Sequence, residues 1–285
     1  MGWVTAAFAL AGALASVLAF AAWRRRGPLL RWWRLRREPY RTRYPVLLVH
    51  GVMGFDQVTV RGKSYAYFRG VEEHLEALGT DVRSVRLPSL SSVEVRARAL
   101  AEIVERTAAP KVNLVAHSMG GLDARYAIAR HGLASRVASL VTIGTPHRGT
   151  PLADAGTRLL DRLGLRAILR RIGSTIDAFD DLTSERTSRL NEELLDVRSV
   201  FYGSVIARVP PSGPTHPLLR PTHRYLAGRA GDNDGLVPAA SQAWGEVILE
   251  IEVDHWAQVG WSVSSDVDAR DVYAAIVREL KARGR

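Results

Sequence analysis

A serine hydroxyl set among small residues at the end of an apolar run is the first group in this chain whose placement suggests chemistry. The stretch Val115-Ala116-His117-Ser118-Met119-Gly120-Gly121 passes from strand-like into helix-like sequence. A serine on so sharp a turn is lifted out of a sheet with its hydroxyl exposed. Small neighbours are needed because the strained turn brings backbone close to adjacent elements. The usual pattern is G-x-S-x-G, and Ala116 stands at its first glycine. The competing reading is an ordinary strand-to-helix turn with a capping serine.

A serine hydroxyl alone is a weak nucleophile. It needs a base, and the base needs an orienting acid. On a strand–turn–helix nucleophile the acid follows the serine in the chain, and the histidine follows the acid. Of eight histidines, only His131, His147, His216, His223 and His255 lie after Ser118. The loop Gly231-Asp232-Asn233-Asp234-Gly235 offers two acids, and only His255 lies beyond it. Asp232 and Asp234 compete for the acid role, and either could instead form an Asx turn beside glycine. A tetrahedral intermediate also needs preorganised N–H donors. Met119 supplies one, as the residue after the nucleophile. Val52, in the early loop His50-Gly51-Val52-Met53-Gly54-Phe55, supplies the other.

These groups must be positioned by strands and helices, and the chain alternates between the two. Tyr44–Val49, Val82–Leu87, Val112–Ala116 and Val137–Ile143 read as buried strands. Residues 66–79, Val93–Arg106 and Gly120–Arg130 read as helices between them. In Val93–Arg106 the expected inward positions are Val95, Leu100, Ile103 and Val104. Val200–Ile206, Tyr225–Ala227 and Val247–Val253 read as later strands, and Asp266–Leu280 as a closing helix. Such alternation predicts a doubly wound, mostly parallel sheet in one α/β domain over residues 44–285. Residues 150–200 break the alternation as a helix-rich insertion.

Composition narrows the chemistry and the partners. The chain has 285 residues and no cysteine, which excludes disulfides, thiolate nucleophiles and cysteine zinc sites. The net charge is +10, but residues 1–46 hold nine arginines against Glu38, so the remainder is almost neutral. A uniformly basic body, which would suggest nucleic acid, is therefore not what the composition shows. Residues 1–23 contain no charged side chain, long enough for a membrane-spanning helix. Residues 24–43 form a basic linker in which Trp32 and Trp33 sit among arginines, as at a membrane interface. A cleaved signal peptide is the alternative, with Ala19-Phe20-Ala21 as its site, although the positive charge follows the apolar run instead of preceding it. The flanking arginines favour a cytoplasmic-facing body, with a secreted or periplasmic one as the alternative.

Pro45–Val58, Ser89–Ile103, Lys111–Ile128, Val141–Thr150 (VTIGTPHRGT) and Asn233–Val237 (NDGLV), taken in order, resemble the bacterial true lipases, triacylglycerol lipases of the α/β-hydrolase superfamily. The resemblance implies Ser118, Asp234 and His255 as the triad, Val52 and Met119 as oxyanion donors, and no cofactor. It implies hydrolysis of lipid esters through an acyl-enzyme on Ser118. A phospholipase, an acyltransferase or a short-chain carboxylesterase with the same triad are the alternatives, and a silent membrane-anchored binding module is the most remote. Members commonly hold a structural calcium. Its carboxylates are missing here, with Ala257 two residues after the histidine and no acid around Pro214, so no metal is expected. Residues 157–172 fall where the family carries its lid, and their leucines and arginines predict an amphipathic helix suited to a lipid surface.

Overall fold

The structure is a computed structural model that describes residues 38–52, 57–60, 63–165, 177–210, 213, 215–262 and 267–285. The expected N-terminal span, at residues 1–23, lies outside the described residues. Among the described residues no helix is long and apolar enough to cross a membrane.

Six strands form the central sheet: β1 (Val46–Val49), β4 (Val82–Val85), β5 (Val112–His117), β6 (Val137–Ile143), β7 (Phe201–Ala207) and β8 (Glu246–Ile251). Their spatial order is β4-β1-β5-β6-β7-β8, and every neighbouring pair is parallel. β2 (Gln57–Val60) and β3 (Lys63–Ala66) pair apart as an antiparallel hairpin.

Successive residues of a strand point to opposite faces, and β1 shows how one strand serves two cores. Val46 and Leu48 pack with α1 (Val71–Ala77) and with Tyr273, Ile276 and Leu280 of the C-terminal helix. Leu47 and Val49 pack with α2 (Val93–Arg106) and α3 (Gly120–Arg130) on the other face. β1, β5 and β6 are buried throughout, as strands covered on both faces must be.

Four expectations need correction. Residues 66–79 are not one helix: Ala66 ends the hairpin and the helix starts only at Val71. Val95 is half exposed, and Arg96 is fully buried in its place. The inward face of α2 runs through Val93, Ala97, Leu100 and Val104, and Arg96 lies one turn from both Val93 and Leu100. Tyr225–Ala227 is not a strand but part of a helix, Arg220–Ala230. Pro221 in its first turn presets helical backbone, which outweighs three residues of apolar run. The helix expected at 157–172 begins at Thr150, whose side chain caps it, and spans Pro151–Arg162. Gly164, at φ +66°, takes the left-handed turn that ends it. Residues 166–176 lie outside the described ones.

Candidate active site

Ser118 sits one residue past β5 with φ +56°, one of two non-glycine residues with positive φ among those described. That conformation is costly for a residue with a Cβ, and three contacts hold it. The Ser118 N–H donates to Ile143 O at 2.9 Å, and its carbonyl accepts from Thr145 Oγ1 at 2.7 Å and from Gly121 N at 3.1 Å. A Cβ on Gly120 would stand 2.7 Å from Val49 O and 2.8 Å from His50 O, so only glycine lets α3 begin this close to β1.

The acid and base come from the far side of the sheet. Asp234 follows the helix Arg220–Ala230, and His255 lies four residues after β8. Their backbones are tied by His255 N donating to Asp234 O at 2.8 Å. His255 Nδ1 lies 2.8 Å from Asp234 Oδ2, and His255 Nε2 lies 3.1 Å from Ser118 Oγ. The structure therefore brings together all three residues picked from the sequence. Because Asp234 accepts, Nδ1 carries the proton and Nε2 offers its lone pair to the serine hydroxyl.

Asp234 is fully buried, and four donors converge on its carboxylate. Oδ1 accepts from Leu236 N at 3.0 Å and Val237 N at 2.8 Å, and Oδ2 accepts from Gln258 Nε2 at 2.8 Å besides His255. Asp232 is exposed, with its carboxylate 3.7 Å from Arg208. The loop geometry separates two acids that sequence left in competition. Asp232→Asn is expected to change kcat by less than about twofold, as a surface substitution does. A loss comparable to that of Asp234→Asn would move the acid role to Asp232.

Met119 is buried at the start of α3, and Val52 lies two residues after His50. Among the described residues neither amide has a backbone acceptor, whereas Val52 O accepts from Leu90 N at 3.0 Å. Arg96 fixes the approach to this loop. It donates to His50 O at 2.7 Å through Nη2, to Pro88 O at 3.0 Å through Nη1, and to Asp123 Oδ2 at 2.8 Å through Nε. Burial pushes the Asp123 carboxyl up to about 7 against the pull of Arg96. Val52 also packs on an apolar cluster of Val93, Met119, Leu122, Ala153, Ala178 and Leu182. An apolar surface thus adjoins the nucleophile.

Asp254 closes the histidine loop. Its Oδ1 accepts from Trp256 N at 3.0 Å and Ala257 N at 2.8 Å, and its Oδ2 from His216 N at 2.8 Å and Ser262 Oγ at 3.0 Å. It joins the segment around His216 to the turn that carries His255. Among the described residues no group of three or more His, Asp or Glu is placed to hold a metal ion.

Sequence reading missed Arg96, Asp254 and Gln258. Each is a buried polar residue whose partners come from distant parts of the chain, and the only available signal was its place on an inward helix face or near a site residue.

Residues 44–169 match the α/β hydrolase fold family. Triacylglycerol lipase 2 of Saccharomyces cerevisiae is 29% identical over 245 residues, 76% of this chain and 74% of that protein. A triacylglycerol lipase of Pseudarthrobacter phenanthrenivorans is 33% identical over 168 residues, 56% of this chain and 50% of that protein. This chain thus spans about half the length of that bacterial relative. The crystal structure of a metagenomic carboxyl esterase superposes with a TM-score of 0.69 at 21% identity, covering 84% of this chain and 76% of that one.

Proposed function

We propose that the chain is a lipase of the α/β-hydrolase superfamily, as its similarity to triacylglycerol lipases supports, and that it hydrolyses carboxylic esters of lipids, acylglycerols foremost, through an acyl-enzyme on Ser118. The observation that carries the reading is His255 standing 3.1 Å from Ser118 Oγ and 2.8 Å from Asp234 Oδ2. His255 Nε2 takes the hydroxyl proton as Oγ attacks the ester carbonyl. The Val52 and Met119 amides receive the oxyanion. The C–O bond breaks, and the alcohol leaves with the proton from His255. Water then repeats the sequence on the acyl-enzyme, releasing the acid and restoring Ser118. Asp234 holds the imidazole in the required tautomer and stabilises the imidazolium.

Lipid substrates are favoured by exposed apolar side chains on the insertion between β6 and β7. Leu159 and Leu163 are 56% and 60% exposed at the end of the helix Pro151–Arg162, and Phe179 is 41% exposed nearby in the chain. Exposed apolar side chains gathered on one segment suit a lipid surface. A lid movement of this segment would uncover the cluster around Val52, which is costly in water and favourable at an interface. Activity on emulsified long-chain esters is expected to exceed that on soluble short-chain esters. Leu159→Ser with Leu163→Ser is expected to cut the emulsion rate about tenfold, the effect of losing one to two kcal/mol of apolar contact, while sparing the soluble rate. Preference for short esters with no interfacial gain would make the protein a carboxylesterase.

The apolar stretch 1–23 and the arginines after it support a membrane-anchored protein. The full chain is expected to stay in the membrane fraction through a high-salt wash, because apolar burial is not screened. Its release by salt would overturn the anchor.

A further inference from the structure

A second chain of polar groups runs beneath the nucleophile. Gln258 is buried and donates through Nε2 to Asp234 Oδ2. Its Oε1 lies 3.1 Å from His117 Nε2. His117 Nδ1 lies 2.7 Å from the Tyr67 hydroxyl, and that hydroxyl accepts from Gly51 N at 3.1 Å.

Every direction in this chain follows from its end. A carboxylate only accepts, so Gln258 must present its NH2 to Asp234 and its carbonyl to His117. The Nε2 of His117 must then carry the proton, which leaves Nδ1 to accept from the Tyr67 hydroxyl. The Tyr67 oxygen is in turn free to accept from Gly51. No other arrangement of protons satisfies all the members. Burial, with His255 adding to it, holds His117 well below the ordinary imidazole range, and burial pushes Tyr67 up to about 12. Both stay neutral, as the chain requires.

Backbone has made room for it. Gly144 sits at φ +58°, and a Cβ there would meet Gln258 Oε1 at 2.1 Å and Asp234 Oδ2 at 3.2 Å. A Cβ on Gly51 would meet the Tyr67 hydroxyl and Ser118 Cβ, each at 2.9 Å.

We propose that Gln258 is a positioning residue for Asp234, and that the Gln258–His117–Tyr67 chain links the carboxylate orienting His255 to the Gly51 turn that presents Val52. The proposal rests on the triad reading above. Without Gln258, Oδ2 keeps only His255 as a donor, and the carboxylate's orientation rests on Leu236 N and Val237 N at Oδ1 alone. The two halves of the site, base and oxyanion loop, then lose their shared reference.

The test uses the full chain in detergent, a soluble p-nitrophenyl ester, and rates per site titrated with a fluorophosphonate, so that misfolded protein is not counted. Gln258→Leu is expected to lower kcat about tenfold with KM within about twofold. Tyr67→Phe is expected to cause a smaller fall of the same kind. Gln258→Glu keeps the shape but places a second acid beside Asp234. The added negative charge favours the imidazolium of His255, so the acid limb of kcat/KM should move to higher pH. That limb reads whether position 258 is coupled electrostatically to the His255–Asp234 pair. A Gln258→Leu enzyme with wild-type kcat, or a Gln258→Glu enzyme with the wild-type acid limb, overturns the proposal. Ser118→Ala, which has no serine to titrate and is measured per mole of folded protein, keeps the two readings apart. Hydrolysis surviving in Ser118→Ala sinks the triad, whereas its loss alongside unaffected Gln258 variants sinks only this inference.

Discussion

Ser118→Ala and His255→Ala are each expected to lower kcat by about four to six orders of magnitude, and Asp234→Asn by about four, with the fold retained in all three. The serine has one proton acceptor, His255 Nε2, and the histidine has one carboxylate, Asp234. Removing any one breaks the sequence of transfers at a point nothing else covers. The double variant Ser118→Ala/His255→Ala should lose little more than either alone, because the three act as a unit. Asp234→Asn carries an extra penalty. All four partners of its carboxylate are donors, so an asparagine NH2 must face another N–H wherever it points. The histidine is then pushed towards the wrong tautomer. Stopped assays of ester hydrolysis and fluorophosphonate labelling check this. A folded Ser118→Ala protein with wild-type hydrolysis and labelling would remove the central claim.

The second large effect is expected at Arg96, on stability. Arg96→Met should cost about 3–5 kcal/mol, because it leaves the buried Asp123 carboxylate without its cation. His50 O and Pro88 O lose a donor in the same step. The cost should depend on pH. Burial already raises the Asp123 carboxyl, and Arg96 opposes the rise. Without Arg96 the carboxyl lies higher still in the folded state than in the unfolded chain. The folded state then binds the extra proton, and stability falls as pH rises through that range. Arg96→Met should therefore be more destabilised at pH 8 than at pH 5. Urea midpoints at the two values measure it, and a change below about 1 kcal/mol at both would show the pair to be dispensable.

What the sequence disclosed, and what it withheld, divides along a physical line. The extents of Val93–Arg106 and Gly120–Arg130 were legible from their flanking residues, although the inward face of the first was not, since Val95 points out and Arg96 in. The nucleophile and base were legible because a strained turn demands small residues and because chain order left one histidine. Asp234 could be separated from Asp232 only by resemblance. The difference lies in the path of the loop, which turns one carboxylate inward and the other toward Arg208. Tyr225–Ala227 misled because three apolar residues are too few to distinguish strand from helix. Arg96 and Gln258 were invisible for a different reason. Arginine and glutamine normally face water, and only tertiary partners make their burial tolerable.

The spacing of the site along the chain has a consequence for how the protein is made. Ser118 and His255 are 137 residues apart, and His255 emerges only after β8, at one edge of the sheet. The helix Ala269–Ala282 must then pack against β1 to complete the first core. A ribosome-bound chain whose serine turn has already folded therefore has no base to activate it. Contacts of such long sequence separation form slowly. On the proposed reading, hydrolytic power is absent until residues 246–282 have emerged and packed.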